Sequence, residues 1–233
     1  MNEITIEPIA HIYNDFSDKF GIPRQSNLIS DLYSTIVFEK KYRDENALRG
    51  LEEYSHIWLI WHFSETDSAK DWSATVRPPR LGGNTRMGVF ATRSPFHPNR
   101  LGLSCVKLEA IEKSKDNGIV LKVSGADLMN GTPIFDIKPY LSFTDSHPDA
   151  LCGFADTTLD YELEVFVPEN LKKFTDNKIL CNIIEILKQD PRPSYHSDSE
   201  RIYGISYAGH NIKFRVNDKK LFVESITKMN VGE

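Results

Sequence analysis

The sequence of 233 residues lacks the features that mark membrane and secreted proteins. It has no run of about 18 apolar residues, so no membrane-spanning helix is expected. Its N-terminus lacks a basic segment followed by an apolar stretch, so no secretory signal is expected. The three cysteines are widely separated, which is typical of reduced thiols rather than of disulfides. We therefore expect a cytoplasmic protein without a membrane segment.

Motifs that bind metals and dinucleotides are also missing. Neither the three cysteines nor the seven histidines show the close spacing of zinc ligands, so no metal is expected. No G-x-G-x-x-G sequence occurs, and strands and helices do not alternate as they do in a doubly wound fold. A parallel α/β nucleotide-binding fold is therefore not expected.

Short apolar segments separated by Gly, Pro and Asn occupy the first two thirds of the chain. Residues 55–63 are apolar on both faces, which predicts a central strand buried on two sides. Residues 4–13, 87–94 and 103–112 are also predicted to be strands. About six short strands with tight turns favour an antiparallel β-barrel or a sandwich.

The pattern changes near residue 165. Pro168 ends a predicted strand, and residues 169–188 carry an apolar stripe that predicts one helix. Alternating residues on either side of Asn217 and Asp218 predict a β-hairpin. We therefore predict a mainly β protein with two domains, an antiparallel β-barrel over residues 1–165 and a small α+β C-terminal domain over residues 166–233.

Residues 72–108, here called the basic segment, contain six arginines and lysines but no acidic residue. This is unexpected in a chain whose formal net charge is −5. The planar guanidinium group matches phosphate and carboxylate oxygens two at a time. The prolines and glycines of the segment predict bent loops whose backbone can approach a ligand closely. The segment therefore indicates recognition of a polyanion, with a merely solvated surface as the alternative.

The sequence VRPPRLGGNTRMGVFATRSPFHPN within the basic segment closely resembles the signature of the TrmO/TsaA-type β-barrel methyltransferases. The sequences IPRQ, RGLEEYSHIWLI, GTPIFDIKPYL and DPRPSY resemble further blocks of that family, in the family order. The resemblance covers nearly the whole chain. It implies an enzyme that uses S-adenosyl-L-methionine to N6-methylate threonylcarbamoyl-adenosine beside the anticodon of tRNA. It also implies a homodimer.

The resemblance implies a cofactor pocket formed by loops of the barrel. Carried over residue by residue, the cofactor-binding residues are Pro23, Arg24, Gln25, Ser64, Glu65, Arg93, Leu103, Asp127, Leu128, Met129 and Asn130. Either Arg24 or Arg93 would pair with the methionine carboxylate. Either Glu65 or Asp127 would accept hydrogen bonds from the ribose, the ammonium group or the adenine amine. Leu103 would contact the adenine ring.

The chain departs from the usual family pattern at several positions. Family members typically read RPNPIG where this chain has HPNRLG, so His97 and Arg100 are unusual. Ser64 and Glu65 stand where His-Gln is frequent, and Asn130 stands where Asp is frequent. These differences concern single cofactor contacts and not membership of the family.

The catalytic residues are not identified by the sequence. Methyl transfer requires alignment, a water-poor pocket and removal of a proton from the accepting nitrogen. Asp136, Lys138 and Tyr140 alternate along one face of a predicted strand and are the candidates for this role. A structural network of the same three residues is an equally good interpretation.

Arg77, Arg80, Arg86 and Arg192 are the predicted RNA-binding residues, and the anticodon loop of tRNA is the predicted partner. Basic side chains typically contact the phosphates of such loops. Two other functions remain open from the residues alone. One is a non-catalytic barrel that binds RNA through the basic segment, and the other is an adaptor whose basic segment docks an acidic protein.

Overall fold

The computed structural model describes residues 3–66, 72–82, 84–158, 161–192 and 198–229. The chain divides into two compact units. The first unit comprises Met1–Asn14, Arg24–Val76 and Gly88–Pro148, and the second comprises Asp15–Pro23, Arg77–Met87 and Asp149–Glu233. Two short segments from the N-terminal half therefore belong to the second unit. The domain boundary near residue 165 stays a prediction.

Strands dominate the structure, so the predicted mainly β class is confirmed. The strands are β1 (Ala10–Tyr13), β2 (Tyr33–Phe38), β3 (His56–His62), β4 (Thr75–Val76), β5 (Met87–Gly88), β6 (Leu101–Ser114), β7 (Gly118–Ser124), β8 (Pro133–Pro139), β9 (Glu164–Phe166), β10 (Tyr203–Tyr207), β11 (His210–Asn217) and β12 (Lys220–Lys228). The α-helices are α1 (Ser142–Asp145), α2 (Glu169–Lys172) and α3 (Asn177–Lys188). In the part of the chain that the structure describes, no helix is both long and apolar enough to cross a membrane.

Six strands of the first unit pair in a closed circle, here called the ring, in the order β1-β2-β7-β6-β3-β8. Strand β8 pairs back with β1, and all six pairings are antiparallel. Successive side chains of a strand point to opposite faces, so every second residue enters the interior. Ile12, Ile36, Ile57, Leu59 and Leu121 are fully buried there.

Strand β3 differs from the prediction that both of its faces are buried. Ile57, Leu59 and Trp61 are buried, whereas Trp58 and Ile60 are only half-buried. The reason is that a closed circle of strands has one interior, so the outward face of each strand is not enclosed by the ring.

Three predicted strands have different bounds in the structure. The predicted strand 4–13 is limited to β1, which begins two residues after Pro8. The predicted strand 103–112 is longer and becomes β6. The predicted strand 87–94 is broken, because β5 is followed by a 3₁₀ turn at Val89–Ala91. The Thr92 hydroxyl donates to the Val89 carbonyl at 2.8 Å and closes this turn.

The second unit contains a four-stranded sheet in the order β10-β11-β12-β9, in which β9 is parallel to β12. The predicted hairpin is confirmed, since β11 ends at Asn217 and β12 begins at Lys220. The single helix predicted over residues 169–188 is wrong, because two helices, α2 and α3, occupy that range. Asp176 has extended backbone and accepts from the Ile179 amide at 2.9 Å, so it caps the start of α3.

Residues 15–23 belong to the second unit because of how they pack. The Phe16 ring lies 5.1 Å from the ring of Tyr207. Gly21 adopts φ +90°, and a Cβ built there would contact Ile205 and Ile186 at 3.4–3.5 Å. Both the backbone conformation and the available space therefore favour glycine. This packing holds the chain that leads to Pro23, the first of the predicted cofactor residues.

Candidate functional site

Three predicted cofactor residues that are distant in sequence come together in the first unit. The Arg93 guanidinium donates through Nη1 to the Gln25 side-chain oxygen at 2.7 Å. Gln25 in turn donates through Nε2 to the Arg24 carbonyl at 2.6 Å. The charge of Arg93 also acts on the carboxyl group of Asp127. The loop that follows Pro23, the loop that follows the Val89–Ala91 turn and the loop that follows β7 thus form one cluster.

Asp127 is the acidic member of this cluster. Burial raises the pKa of its carboxyl group above the ordinary value. The hydrogen bond from the Ser104 hydroxyl and the charge of Arg93 oppose that effect. The distance from Ser104 Oγ to Asp127 Oδ1 is 2.5 Å, which is typical of a strong O–H···O⁻ bond. Burial and these specific interactions therefore act in opposite directions on the pKa of the carboxyl group, since burial disfavours the charged form and the interactions favour it.

Sequence reasoning missed two residues that support Asp127. Ser104 lies on the inward face of β6 and is 1% exposed. The Trp61 indole N–H donates to Ser104 Oγ at 2.9 Å. Gly102 lies on the same face of β6, and a Cβ there would be only 2.2 Å from the Trp61 ring. The available signal is the alternation in LGLSCV, which puts a glycine and a serine on the face that elsewhere carries apolar residues.

Leu103 lies on the other face of β6, where its side chain is 51% exposed. Its side chain therefore does not point toward Ser104 and Asp127, and the predicted contact with adenine stays a prediction.

The predicted residues 128–130 form a loop that is hydrogen-bonded to Asn14, the residue that follows β1. The Asn14 side chain donates to the Leu128 carbonyl at 2.8 Å, and the Asn14 amide donates to Asn130 Oδ1 at 3.0 Å. Leu128 is fully buried in the core, whereas Met129 is half-buried. The side-chain amide oxygen of Asn130 thus orders the loop as a hydrogen-bond acceptor.

Ser64 and Glu65 occupy a 3₁₀ turn, Ser64–Thr66, directly after β3. The Phe63 amide donates to the Arg100 carbonyl at 3.0 Å, which holds this turn beside the start of β6. Ser64 is half-buried and Glu65 is exposed. Pro23 is buried and ends the second unit's first segment. The contacts of these residues do not by themselves assign them a ligand.

The three candidate catalytic residues make contacts with their own neighbours. Lys138 forms an ion pair with Asp136 at 2.8 Å on β8. The Tyr140 ring lies 6.1 Å from His56 and 5.9 Å from Trp58. These contacts support the interpretation of a structural network, and a catalytic role for the three residues stays a prediction.

The basic segment is divided between the two units. Arg77, Arg80 and Arg86 belong to the second unit, whereas Arg93 belongs to the first. Arg77 and Arg86 are exposed, and the side chain of Arg80 lies outside the described residues. The segment is therefore not one continuous surface of a single unit.

Arg192 differs from the other predicted RNA-binding residues because it is 13% exposed and engaged in an ion pair. Its Nε and Nη2 donate to the two carboxylate oxygens of Asp190 at 2.8 and 2.9 Å. The Tyr161 hydroxyl donates to the same carboxylate at 2.9 Å. This geometry gives Arg192 a structural role, so we exclude it from the RNA-binding surface that we propose below.

Among the residues that the structure describes, no group of three or more His, Cys, Asp or Glu side chains is arranged to hold a metal ion. The site therefore consists of an arginine, an amide and a partly buried carboxylate on a closed circle of antiparallel strands. The fold that carries these residues is of the mainly β class, and not of the parallel α/β class.

Comparison with known proteins identifies the family. Residues 11–146 match the tRNA-methyltransferase O N-terminal domain, and residues 163–229 match the TrmO C-terminal domain. The chain therefore belongs to the tRNA-methyltransferase O family, as the resemblance predicted.

Relatives resemble the chain over nearly its full length. The tRNA (adenine(37)-N6)-methyltransferase of Escherichia coli strain K12 is 39% identical over 226 residues, which cover 94% of this chain and 95% of that protein. A putative S-adenosylmethionine-dependent methyltransferase, RcsF, of Pseudomonas aeruginosa PAO1 is 37% identical and covers 86% of this chain and 87% of its own. A crystal structure of TrmO from Pseudomonas aeruginosa aligns with a TM-score of 0.77 at 29% identity, covering 97% of this chain and 100% of that one.

Proposed function

We propose that this protein is an S-adenosyl-L-methionine-dependent tRNA methyltransferase that N6-methylates the adenine at position 37, beside the anticodon. The observation that carries the proposal is the match of residues 11–146 and 163–229 to the two domains of the family, and of almost the entire chain to a relative of that activity. The finer statement, also proposed, is that the substrate base is threonylcarbamoyl-adenosine. The non-catalytic RNA-binding function is not favoured by these relatives.

The proposed cofactor site lies at the cluster of Arg24, Gln25, Arg93 and Asp127, and the ring is the barrel that carries it. The residues present fit S-adenosylmethionine, because that molecule has a carboxylate for an arginine and several N–H and O–H donors for a carboxylate. The cofactor supplies a sulfonium methyl group when bound. Ser64, Glu65, Leu103 and residues 128–130 are proposed to complete the pocket.

The protein's own residues are proposed to act by positioning and not by strong base catalysis. The accepting nitrogen of threonylcarbamoyl-adenosine belongs to a urea-like group, so its proton is more acidic than that of plain adenosine. Alignment of the two reactants in a water-poor pocket then accounts for most of the reduction in the activation free energy. This account agrees with the structural contacts made by Asp136, Lys138 and Tyr140.

We further propose that Arg77, Arg80 and Arg86 contact phosphates of the tRNA anticodon loop. Arginines on bent loops are suited to this role because each guanidinium can contact two phosphate oxygens. A homodimer and a cytoplasmic location are also proposed, on the family resemblance.

The test is an assay of tRNA from cells that lack the protein. Mass analysis of their nucleosides should show threonylcarbamoyl-adenosine without its N6-methyl group. The purified protein, given that tRNA and S-adenosylmethionine, should restore the methylated nucleoside. An unchanged nucleoside profile in the deletion strain would contradict the proposed substrate.

A further inference from the structure

We propose that Ser104 and Trp61 are positioning residues for the cofactor, which hold the Asp127 carboxylate as a hydrogen-bond acceptor for a donor group of S-adenosylmethionine. This inference rests on the proposed function. Neither residue belongs to the set that the family resemblance implies, and both act through Asp127 rather than on the cofactor itself. Trp61, Ser104 and Asp127 form one hydrogen-bonded chain in the first unit.

Trp61 fixes the donor-to-acceptor direction of this hydrogen-bonded chain. An indole N–H can only donate, so Ser104 Oγ must accept from Trp61. A serine hydroxyl has one proton, and that proton is therefore directed to Asp127 Oδ1 at 2.5 Å. Oδ1 is thus held as an acceptor. This bond, together with the hydrogen bonds from the Ser26 and Asp127 backbone, fixes the orientation of the carboxyl plane.

The hydrogen-bonded chain is also rigid, because the side chains of Ser104 and Trp61 are closely packed. Ser104 is 1% exposed and Trp61 is 6% exposed. The Trp61 ring covers Gly102 so closely that a Cβ at that residue would overlap it. The Trp61 ring also lies 4.2 Å from the Phe63 ring, measured between the ring centroids. The indole N–H is consequently held in one position relative to Ser104.

The hydrogen-bonded chain is needed because burial disfavours the charged form of Asp127. Burial raises the pKa of the Asp127 carboxyl group, and the Ser104 hydrogen bond is the largest of the effects that oppose it. Arg93 and the Ser26 backbone also oppose it. Without Ser104 the carboxyl group would take up a proton more readily. A protonated carboxyl group presents a donor where the ligand needs an acceptor.

Ser124 provides a matched control in the same unit. It is 2% exposed at the end of β7, and its hydroxyl donates to the Glu109 carboxylate at 2.6 Å. Replacement of Ser124 by Ala therefore removes a buried serine–carboxylate bond of the same kind. Glu109 is paired with Lys107 and is not among the proposed cofactor residues. A general loss of stability would affect both serine variants, whereas loss of a positioning role would affect Ser104 alone.

The experiment is a double-mutant cycle on the affinity for S-adenosylmethionine, measured by calorimetry. Ser104→Ala should bind about 10- to 100-fold more weakly than the wild type, because a hydrogen bond to a charged group is lost. Ser124→Ala should bind within about twofold of the wild type, because Ser124 donates to Glu109 and not to Asp127. The double variant Ser104→Ala/Asp127→Asn should bind no more weakly than Asp127→Asn alone, since Ser104 acts through Asp127.

A pH series separates positioning from simple packing. In Ser104→Ala the fall in affinity at acid pH should begin at a higher pH than in the wild type, whereas Ser124→Ala should follow the wild-type profile. If Ser104→Ala does not fold, Trp61→Phe decides the question. That variant keeps a ring in the core but removes the indole donor, and it should weaken binding several-fold with the same displacement of the pH profile.

The inference is overturned if Ser104→Ala, or Trp61→Phe in its place, binds the cofactor as the wild type does. It is also overturned if Ser104→Ala weakens cofactor binding by the same factor in the wild-type background and in the Asp127→Asn background. In either case a wild-type protein that still binds S-adenosylmethionine and methylates tRNA leaves the proposed function intact. A wild-type protein that does neither contradicts both proposals together.

Discussion

Arg93 donates to the side-chain oxygen of Gln25 across 2.7 Å, although 68 positions separate the two residues in the sequence. The acceptor is a neutral amide, so the bond orients the guanidinium group without neutralising its charge. A carboxylate in the place of Gln25 would compete with an anionic ligand. The pair therefore holds a positive charge in a fixed orientation, as recognition of a ligand carboxylate requires.

Arg93→Ala is expected to weaken S-adenosylmethionine binding by about 1.5–3 kcal/mol, which is the usual contribution of a charged hydrogen bond. Arg93→Lys should recover only part of this loss, because an ammonium group cannot make the paired contacts of a guanidinium. Calorimetry measures both variants. Lys107→Ala is the control, since Lys107 is an exposed cation of the same segment that pairs with Glu109. Equal affinity of Arg93→Ala and the wild type would remove Arg93 from the pocket.

Gly102→Ala is expected to lower both the stability and the cofactor affinity. Its Cβ would lie 2.2 Å from the Trp61 ring, so the indole must move away from Ser104. Overpacking of this kind typically costs about 1–3 kcal/mol of the free energy of unfolding. Thermal unfolding with and without S-adenosylmethionine measures both effects. Gly88→Ala is the matched control, since a Cβ there meets no heavy atom within 4 Å.

The three arginines of the basic segment in the second unit are expected to govern the salt dependence of tRNA binding. Each phosphate contact contributes about 0.7 to the slope of log affinity against log salt for single strands. Replacement of Arg77, Arg80 and Arg86 by Gln should therefore reduce that slope by about two units. The same variant should bind S-adenosylmethionine with nearly wild-type affinity. An unchanged slope together with a loss of cofactor binding would assign these arginines to the pocket instead.

Arg192→Ala is expected to destabilise the protein by about 1.5–3 kcal/mol, the usual contribution of a charged hydrogen bond, because the partly buried Asp190 loses its contacts with the guanidinium group and keeps the one with Tyr161. Arg215→Ala is the control. Arg215 pairs with Glu224 at 2.6 Å, but the two side chains are 39% and 41% exposed, so its loss should cost only about 0.2–1 kcal/mol. Chemical denaturation of the two variants and the wild type gives both values. Comparable losses in the two variants would show that the Asp190–Arg192 pair stabilises the protein no more than an exposed ion pair does.

The same pair predicts how stability depends on pH. Burial acts to raise the pKa of Asp190, but the hydrogen bonds and charge of Arg192 outweigh it, and the pKa lies below its ordinary value. A carboxyl group of this kind stabilises the folded state above its unfolded pKa and loses that contribution as the pH falls through the folded pKa. Asp190→Asn should therefore flatten the acid limb of a plot of melting temperature against pH. A limb of unchanged steepness in the variant would contradict the assignment.

The sequence could predict what depends on local pattern. The alternation around Asn217 and Asp218 is enough to locate the hairpin, and β3 is recognisable from its bulky apolar residues. The break between α2 and α3 was missed because the apolar stripe continues through it. The cap at Asp176, an acidic residue three positions before Ile179, was the local signal against one continuous helix.

The site is harder to predict because its contacts join distant parts of the chain. Asp127, Arg93 and Gln25 could be named from family motifs, but no motif shows that Gln25 orients Arg93. The bond from Ser104 to Asp127 depends on the antiparallel pairing of β6 with β7, which places the loop after β7 beside the start of β6. The ion pair of Arg192 was missed for the opposite reason. Its partner, Asp190, is only two residues away, in a turn where Asp190 adopts φ +50°.

The ring and the four-stranded sheet of the second unit differ in what they offer to other polypeptides. Each strand of the ring has a neighbour on both sides, whereas β10 and β9 each have a neighbour on one side within the second unit's sheet. Unpaired backbone groups at a sheet edge are the usual starting point for strand addition and aggregation. Strand β9 is only three residues long and ends two residues before Pro168, which limits pairing there. Aggregation of native-like molecules is therefore expected to start at β10, the strand whose protection would most improve solubility during purification.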